Sequence, residues 1–158
     1  MPTIQLRLRG QHAQVFRCEK RFIVLVAGRR WGKTTLALWW LIHHAASKDN
    51  QICYYVAPTR RQAKLIAWRK LKQLVGPDLV RATREDELEL ELKNGSILQL
   101  HGTSHADSLR GTGLNAIVLD EFAQMGVGVW NAVIRPMLSD RKGSRSVHWH
   151  SRRTQCVL

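Results

Sequence analysis

At 158 residues the chain has room for one domain of ordinary size and not for two. Its 44% hydrophobic content can build a core and excludes wholesale disorder, while 25 Lys and Arg against 12 Asp and Glu leave a formal net charge of +13. So basic a balance points to a polyanionic partner, nucleic acid first, with plain solubility weighing equally on charge alone.

Cys18, Cys53 and Cys156 form no CxxC pair and no metal-ligand spacing with histidine. That pattern speaks against a disulfide or zinc framework and fits a reducing compartment. No apolar run reaches the roughly 18–20 residues a bilayer span needs. Arg7, Arg9, Arg17, Lys20 and Arg21 stand among polar residues without the apolar block of a signal peptide. A soluble, intracellular protein is expected.

In chain order, residues 22–27 (FIVLVA) are a short β-branched run, expected as a strand buried on both faces. Leu36, Trp39, Trp40 and Ile42 then recur at helical spacing and predict a helix over 33–46. Residues 52–57 (ICYYVA) are a second buried strand, stopped by Pro58. From 62 to 75 the spacing of Ala63, Ile66, Ala67, Leu71 and Leu74 predicts an amphipathic helix. Two alternating runs, 88–92 and 97–100, flank Asn94-Gly95 and read as a hairpin. Residues 116–119 are a third buried strand leading into Asp120 and Glu121, and 130–138 a last helix disturbed by Pro136. This order is that of an α/β domain on parallel strands, flanked by helices and carrying a β-hairpin.

Between the first strand and the first helix stands Ala27-Gly28-Arg29-Arg30-Trp31-Gly32-Lys33-Thr34, followed by Thr35. It is the GxxxxGK[ST] phosphate loop with Ala27 in place of the first glycine. Backbone N–H groups of such a loop surround phosphates, and the helix N-terminus adds partial positive charge. Lys33 is placed to reach the β- and γ-phosphates of ATP, and Thr34 to offer its hydroxyl to Mg2+. Trp31 reads as a packing residue of the loop. A basic turn that merely opens a helix could also carry GKT, but not with an apolar strand in front. The second element is the strand 116–119 ending in two carboxylates. Asp120 would hold the ion through water, and Glu121 would orient or deprotonate the attacking water. The acids of 85–91 read instead as a solvated face.

AGRRWGKTT, YYVAPTRRQAK and SLRGTGLNAIVLDEFA together resemble the ATPase domain of the large terminase subunit of tailed bacteriophages, over about residues 4–142. The resemblance implies a P-loop NTPase of the ASCE type that drives double-stranded DNA into a procapsid. It also implies a ring on a portal, with a small terminase subunit. Arg29, four residues before the P-loop lysine, would be an arginine finger or phosphate sensor, with Arg30 second in line. An upstream glutamine would recognise adenine, Gln11 or Gln14. Arg60, Arg61 and Lys64 would be DNA phosphate contacts or a solvated face, and Arg110 a residue of undefined role. A helicase-like ATPase and a non-enzymatic basic DNA-binding remnant stay open as alternatives.

The family's nuclease domain and coupling motif have no counterpart here, and residues 143–158 show no clear period and no acid. Reading one base forward across Trp149-His150 forces glycine, and that frame permits Phe-Ile-Gly-Thr-Pro over 147–151, where the coupling motif belongs. A frameshift near codons 141–146 is therefore expected, leaving 1–142 as a partial ATPase domain and 143–158 as an out-of-frame tail. The resemblance implies a further strand between the acidic strand and the P-loop strand. Unless the tail fills that slot, Lys33 and Glu121 would not be held at catalytic distance. Weak nucleotide binding and little or no hydrolysis are then expected of the isolated chain.

Overall fold

The computed structural model of the chain describes residues 8, 10–18, 20–28, 30–104, 111–126, 128–139 and, for the backbone alone, 145–150. Seven strands form one sheet in the order β1-β7-β6-β2-β5-β4-β3. Strands β1 (Phe22–Val26), β7 (Arg145–His150), β6 (Ala116–Leu119), β2 (Ile52–Ala57) and β5 (Ile97–Gly102) run parallel. Strands β4 (Glu89–Leu92) and β3 (Val80–Arg84) close one side antiparallel.

The slot between the acidic strand and the P-loop strand is filled, by the tail. Residues 145–150 pair with β1 on one side (Val24↔His148) and with β6 on the other (Val118↔Val147). The expected central gap is absent because a ladder is made by main-chain N–H and C=O groups, which any segment free of proline can supply. An irregular side-chain pattern does not forbid it.

Helices cover both faces. Helix α2 (Lys33–Ser47) buries Leu36, Leu38, Trp40, Leu41 and Ile42 against one face, each worth about 1.5–3 kcal/mol of burial. The same core holds Cys53, Tyr55, Ala116 and Val118. Strand alternation sends Tyr54, Val56, Ile117 and Leu119 to the other face, under the helical segment Trp130–Ile134 and α5 (Arg135–Ser139). Asn94 of the hairpin turn donates its amide to the carbonyls of Ala45 and Lys48, tying the end of α2 to the β4–β5 connection.

Two side-chain assignments from the sequence need correction. β1 is not buried on both faces: Phe22 is 47% and Val24 57% exposed, because β1 lies at the sheet edge and not in its middle. The amphipathic helix begins two residues earlier than its pattern, as α3 (Arg60–Ala63), and passes through a π-helical turn, Lys64–Trp68, into α4 (Arg69–Val75). That turn rotates the buried stripe. Ala63, Ala67, Trp68, Leu71 and Val75 are buried, whereas Ile66 is 45% exposed. A 3.6-residue period could not place Trp68, whose indole N–H donates to Glu85 at 2.6 Å.

The start of α3 is fixed by a capping box, with Gln62 N–H donating to Thr59 Oγ1 at 3.2 Å and Thr59 N–H to Gln62 Oε1 at 3.1 Å. This turn rests directly on the end of β5. A Cβ at Gly102 would lie 2.1 Å from the Arg60 nitrogen and 2.5 Å from the Thr59 carbonyl carbon. Gly102→Ala is therefore expected to destabilise the fold by about 1–3 kcal/mol, read as a lowered urea midpoint at unchanged slope.

Next to it His101 stacks on Tyr54, ring centroids 4.3 Å apart, and its buried Nε2 has no hydrogen-bond partner among the described residues. Burial first, and the Arg60 charge second, pull this imidazole from 6.5 to about 4. Between those values the unfolded chain holds a proton that the folded chain refuses, so stability is lost as pH falls from 6.5 toward 4. His101→Phe removes that proton. Its stability, measured by urea unfolding across the window, should fall less steeply than the wild type's, by up to roughly 1.4 kcal/mol per pH unit.

Candidate nucleotide site

The loop after β1 and the start of α2 are shaped by two left-handed residues, Arg30 at φ 61° and Gly32 at φ 95°. Gly32 caps α2, and a Cβ there would both strain the backbone and approach His12 Cε1 to 3.3 Å. His12 belongs to the short helix α1 (Gly10–Phe16), which packs under the loop. Its Nε2 lies 3.0 Å from the Trp31 carbonyl oxygen, and its ring meets the Trp31 ring edge-on at 4.2 Å. Trp31 in turn donates its indole N–H to Gln11 Oε1 at 3.1 Å. Gln11 is thus engaged with the loop's tryptophan.

Lys33 reaches back over its own loop and donates to the carbonyls of Ala27 at 2.8 Å and Gly28 at 3.1 Å. Such a lysine is held extended by acceptors it can exchange for phosphate oxygens. Thr35 turns away and accepts from Lys70 Nζ at 3.1 Å, linking the P-loop helix to α4.

The acidic pair follows from alternation in β6. Ala116 and Val118 face α2, so Asp120 does too, and its N–H donates to the Val56 carbonyl at 2.8 Å. Asp120 is only 6% exposed. Burial raises its carboxyl above the ordinary range, and Glu121 adds to that, while a hydrogen bond from Tyr55 and the charge of Lys33 work against it. The Tyr55 hydroxyl donates to Asp120 Oδ2. Glu121 turns the chain through a left-handed conformation, φ 53° and ψ 43°, a strained one for a residue with a side chain. Its Oε2 lies 3.5 Å from the Gln124 amide nitrogen.

These groups line one cavity of about 360 Å³. Arg30, Lys33 and Thr34 bound it on the P-loop side, Asp120, Glu121 and Gln124 on the acidic side, and Ala57, Pro58, Gln62 and Ile66 across the top of β2. Arg29 and Arg110 lie outside the described residues. Sequence reasoning misses Gln62, Ile66, Gln124 and Tyr55. Of these Tyr55 alone leaves a trace there, as one of two hydroxyls, with Tyr54, in a strand otherwise apolar. The hydroxyl of Thr34 and the carboxylate of Asp120 are hard oxygen donors that fit a magnesium ion retaining water and phosphate ligands. Among the described residues no cluster of three or more His, Cys, Asp or Glu could cage a metal without such help.

Residues 24–147 match the family described as the T4likevirus-type terminase large subunit, N-terminal part. The chain belongs to the large terminase subunits. It is 30% identical over 131 residues to the terminase large subunit of Escherichia phage T5, a match covering 80% of this chain and 29% of that protein. In fold the terminase chain is similar to the large terminase ATPase domain of Thermus phage P74-26, with a TM-score of 0.81 at 19% identity over 95% of this chain and 67% of that one. The large terminase of another thermophilic bacteriophage, solved in complex with ATP-gamma-S, superposes with a TM-score of 0.73 at 16% identity, over 89% and 37% of the two chains. The chain thus spans less than a third of the T5 protein that it matches. Among the described residues no helix is long and apolar enough to cross a membrane.

Proposed function

We propose that this chain binds Mg-ATP and hydrolyses it as the motor part of a terminase that packages double-stranded DNA into procapsids. The observation that carries the proposal is the convergence of Lys33, Thr34, Asp120 and Glu121 on one cavity from two different strand ends. ATP fits the chemistry of that cavity. The ammonium of Lys33 leaves its two carbonyl acceptors for the β- and γ-phosphate oxygens, and the N-terminal amides of α2 surround them. Thr34 and, through water, Asp120 would hold a magnesium ion, whose charge would offset that of those oxygens. Glu121 then orients a water toward the γ-phosphorus and takes its proton. The Gln124 amide near its carboxylate keeps that side chain aimed.

Several residues enter only as proposals. Arg29, by its place in the loop, is the charge that would sense the γ-phosphate, and Arg30, which lines the cavity, is the second candidate. Gln11 meets adenine in this reading only by exchanging its hydrogen bond with Trp31. Arg60, Arg61 and Lys64 are exposed or nearly so around the start of the helix above the cavity, where DNA phosphates could meet them. The portal, the small subunit and a bacterial cytoplasmic setting belong to the same reading. Support comes from the family, from the +13 charge, and from the thermophilic phage relative's complex with ATP-gamma-S.

Fluorescent ATP-analogue binding and phosphate release on the intact chain test this. Lys33→Ala should weaken nucleotide binding at least about tenfold, the scale of one lost charge-assisted contact set. Glu121→Gln should keep binding within a few-fold and lower hydrolysis by roughly a hundredfold or more. Wild-type chain that binds no nucleotide, or a Lys33→Ala chain that binds as well as wild type, would count decisively against the reading.

A further inference from the structure

We infer that Tyr55 is a positioning residue of the magnesium site, holding Asp120 through its hydroxyl; the inference rests on the phosphate-site reading above. Tyr55 lies in the middle of β2 and is 1% exposed. Its ring packs in the core beneath α2, and its hydroxyl needs a polar partner there. It finds that partner in Asp120, donating to Oδ2 at the cavity floor.

The direction of that hydrogen bond matters. One donated hydrogen bond satisfies one oxygen of a carboxylate that is almost wholly buried. The second oxygen remains for water bound to the cation. The tyrosine thus sets the orientation of the donor at the end of β6. Register keeps it there, since Tyr55 pairs with Val118 two residues before Asp120.

Tyr55→Phe keeps the packed ring and removes only this link. Binding of a fluorescent ADP analogue, measured first in EDTA and then along a magnesium titration, separates the roles. In EDTA the variant should bind within about twofold of wild type. The magnesium concentration giving half-maximal enhancement should rise about tenfold, the scale of one hydrogen bond to a charged group. A structural role alone would weaken binding equally in both conditions, and an unchanged magnesium midpoint would overturn the inference. A wild-type chain that binds no nucleotide in either condition would instead overturn the phosphate-site reading and this inference with it. If Tyr55→Phe does not fold, the wild-type hydroxyl can be watched directly. The chain has two tyrosines, so Tyr54→Phe labelled with 3-fluorotyrosine carries a single fluorine reporter, at Tyr55. Its resonance should move when magnesium is added to the ADP-bound protein, and a resonance that stays in place refutes the link.

Discussion

Main-chain pairing of one short segment on both of its edges holds the site together. Residues 145–150 sit between β1 and β6, so the segment offers backbone groups to two neighbours at once. The P-loop leaves from one of those neighbours and the acidic pair from the other. Without the intervening ladder, two rows of buried donors and acceptors would lack partners, at about 1–3 kcal/mol for each group left unsatisfied. The loop and the carboxylates would also lose their common edge. Because parallel strands end at the same side of a sheet, helices and loops leaving β1, β2 and β6 face one crevice. The cavity is a consequence of that order.

The features legible in the sequence were those with local causes. Residues 52–57 and 116–119 are continuous apolar runs in the interior of a parallel sheet, and a run of that kind has no other comfortable place. The Asn94-Gly95 turn specifies its own hairpin. The GKT of the P-loop starts a helix where Gly32 takes a left-handed angle, φ 95°, that glycine adopts without strain. Illegible features were those decided by partners distant in the chain. The exposure of Phe22 and Val24 depends on β1 lying at an edge, which strand order and not composition determines. The π turn at Lys64–Trp68 shifts a buried face by one residue, and no hydrophobic period announces it. Strand β7 was hidden because its pairing draws on the backbone and so leaves little pattern in its side chains. Tyr55 was hidden for another reason. Its partner Asp120 stands 65 residues away, so only the fold reveals the hydroxyl as a link and not as an oddity of a core strand.

Charge is distributed to match this division of labour. On the antiparallel side of the sheet Arg84 pairs with Glu89 and with Glu91, Arg81 also with Glu91, and Lys72 with Glu85. The basic partners of these pairs are exposed, with Glu89 and Glu91 partly buried, and each pair contributes little stability. They do place alternating charge along the edge strand β3 and its neighbour, where an uncharged edge would invite another chain to pair. Three of the twelve acids are engaged there, and Asp120 and Glu121 stand in the cavity. Few negative charges are left to offset the remaining Lys and Arg. The net charge of the chain is therefore a property of its surface, distinct from the electrostatics of the site.

Inside the cavity the arrangement runs against stability. A buried carboxylate with a raised pKa and a second carboxylate beside it on left-handed backbone each cost free energy. In the proposed Mg-ATP reading the repulsion between the carboxylates would be offset by the cation, and Lys33 would exchange its two carbonyl acceptors for phosphate oxygens. The rigid parts of the fold hold these groups in place. Tyr55 holds Asp120 by one oxygen, the β2–β6 register holds Tyr55, and the capping box on Gly102 holds the loop above them. The geometry of the site is thus carried by buried backbone pairing and not by surface contacts.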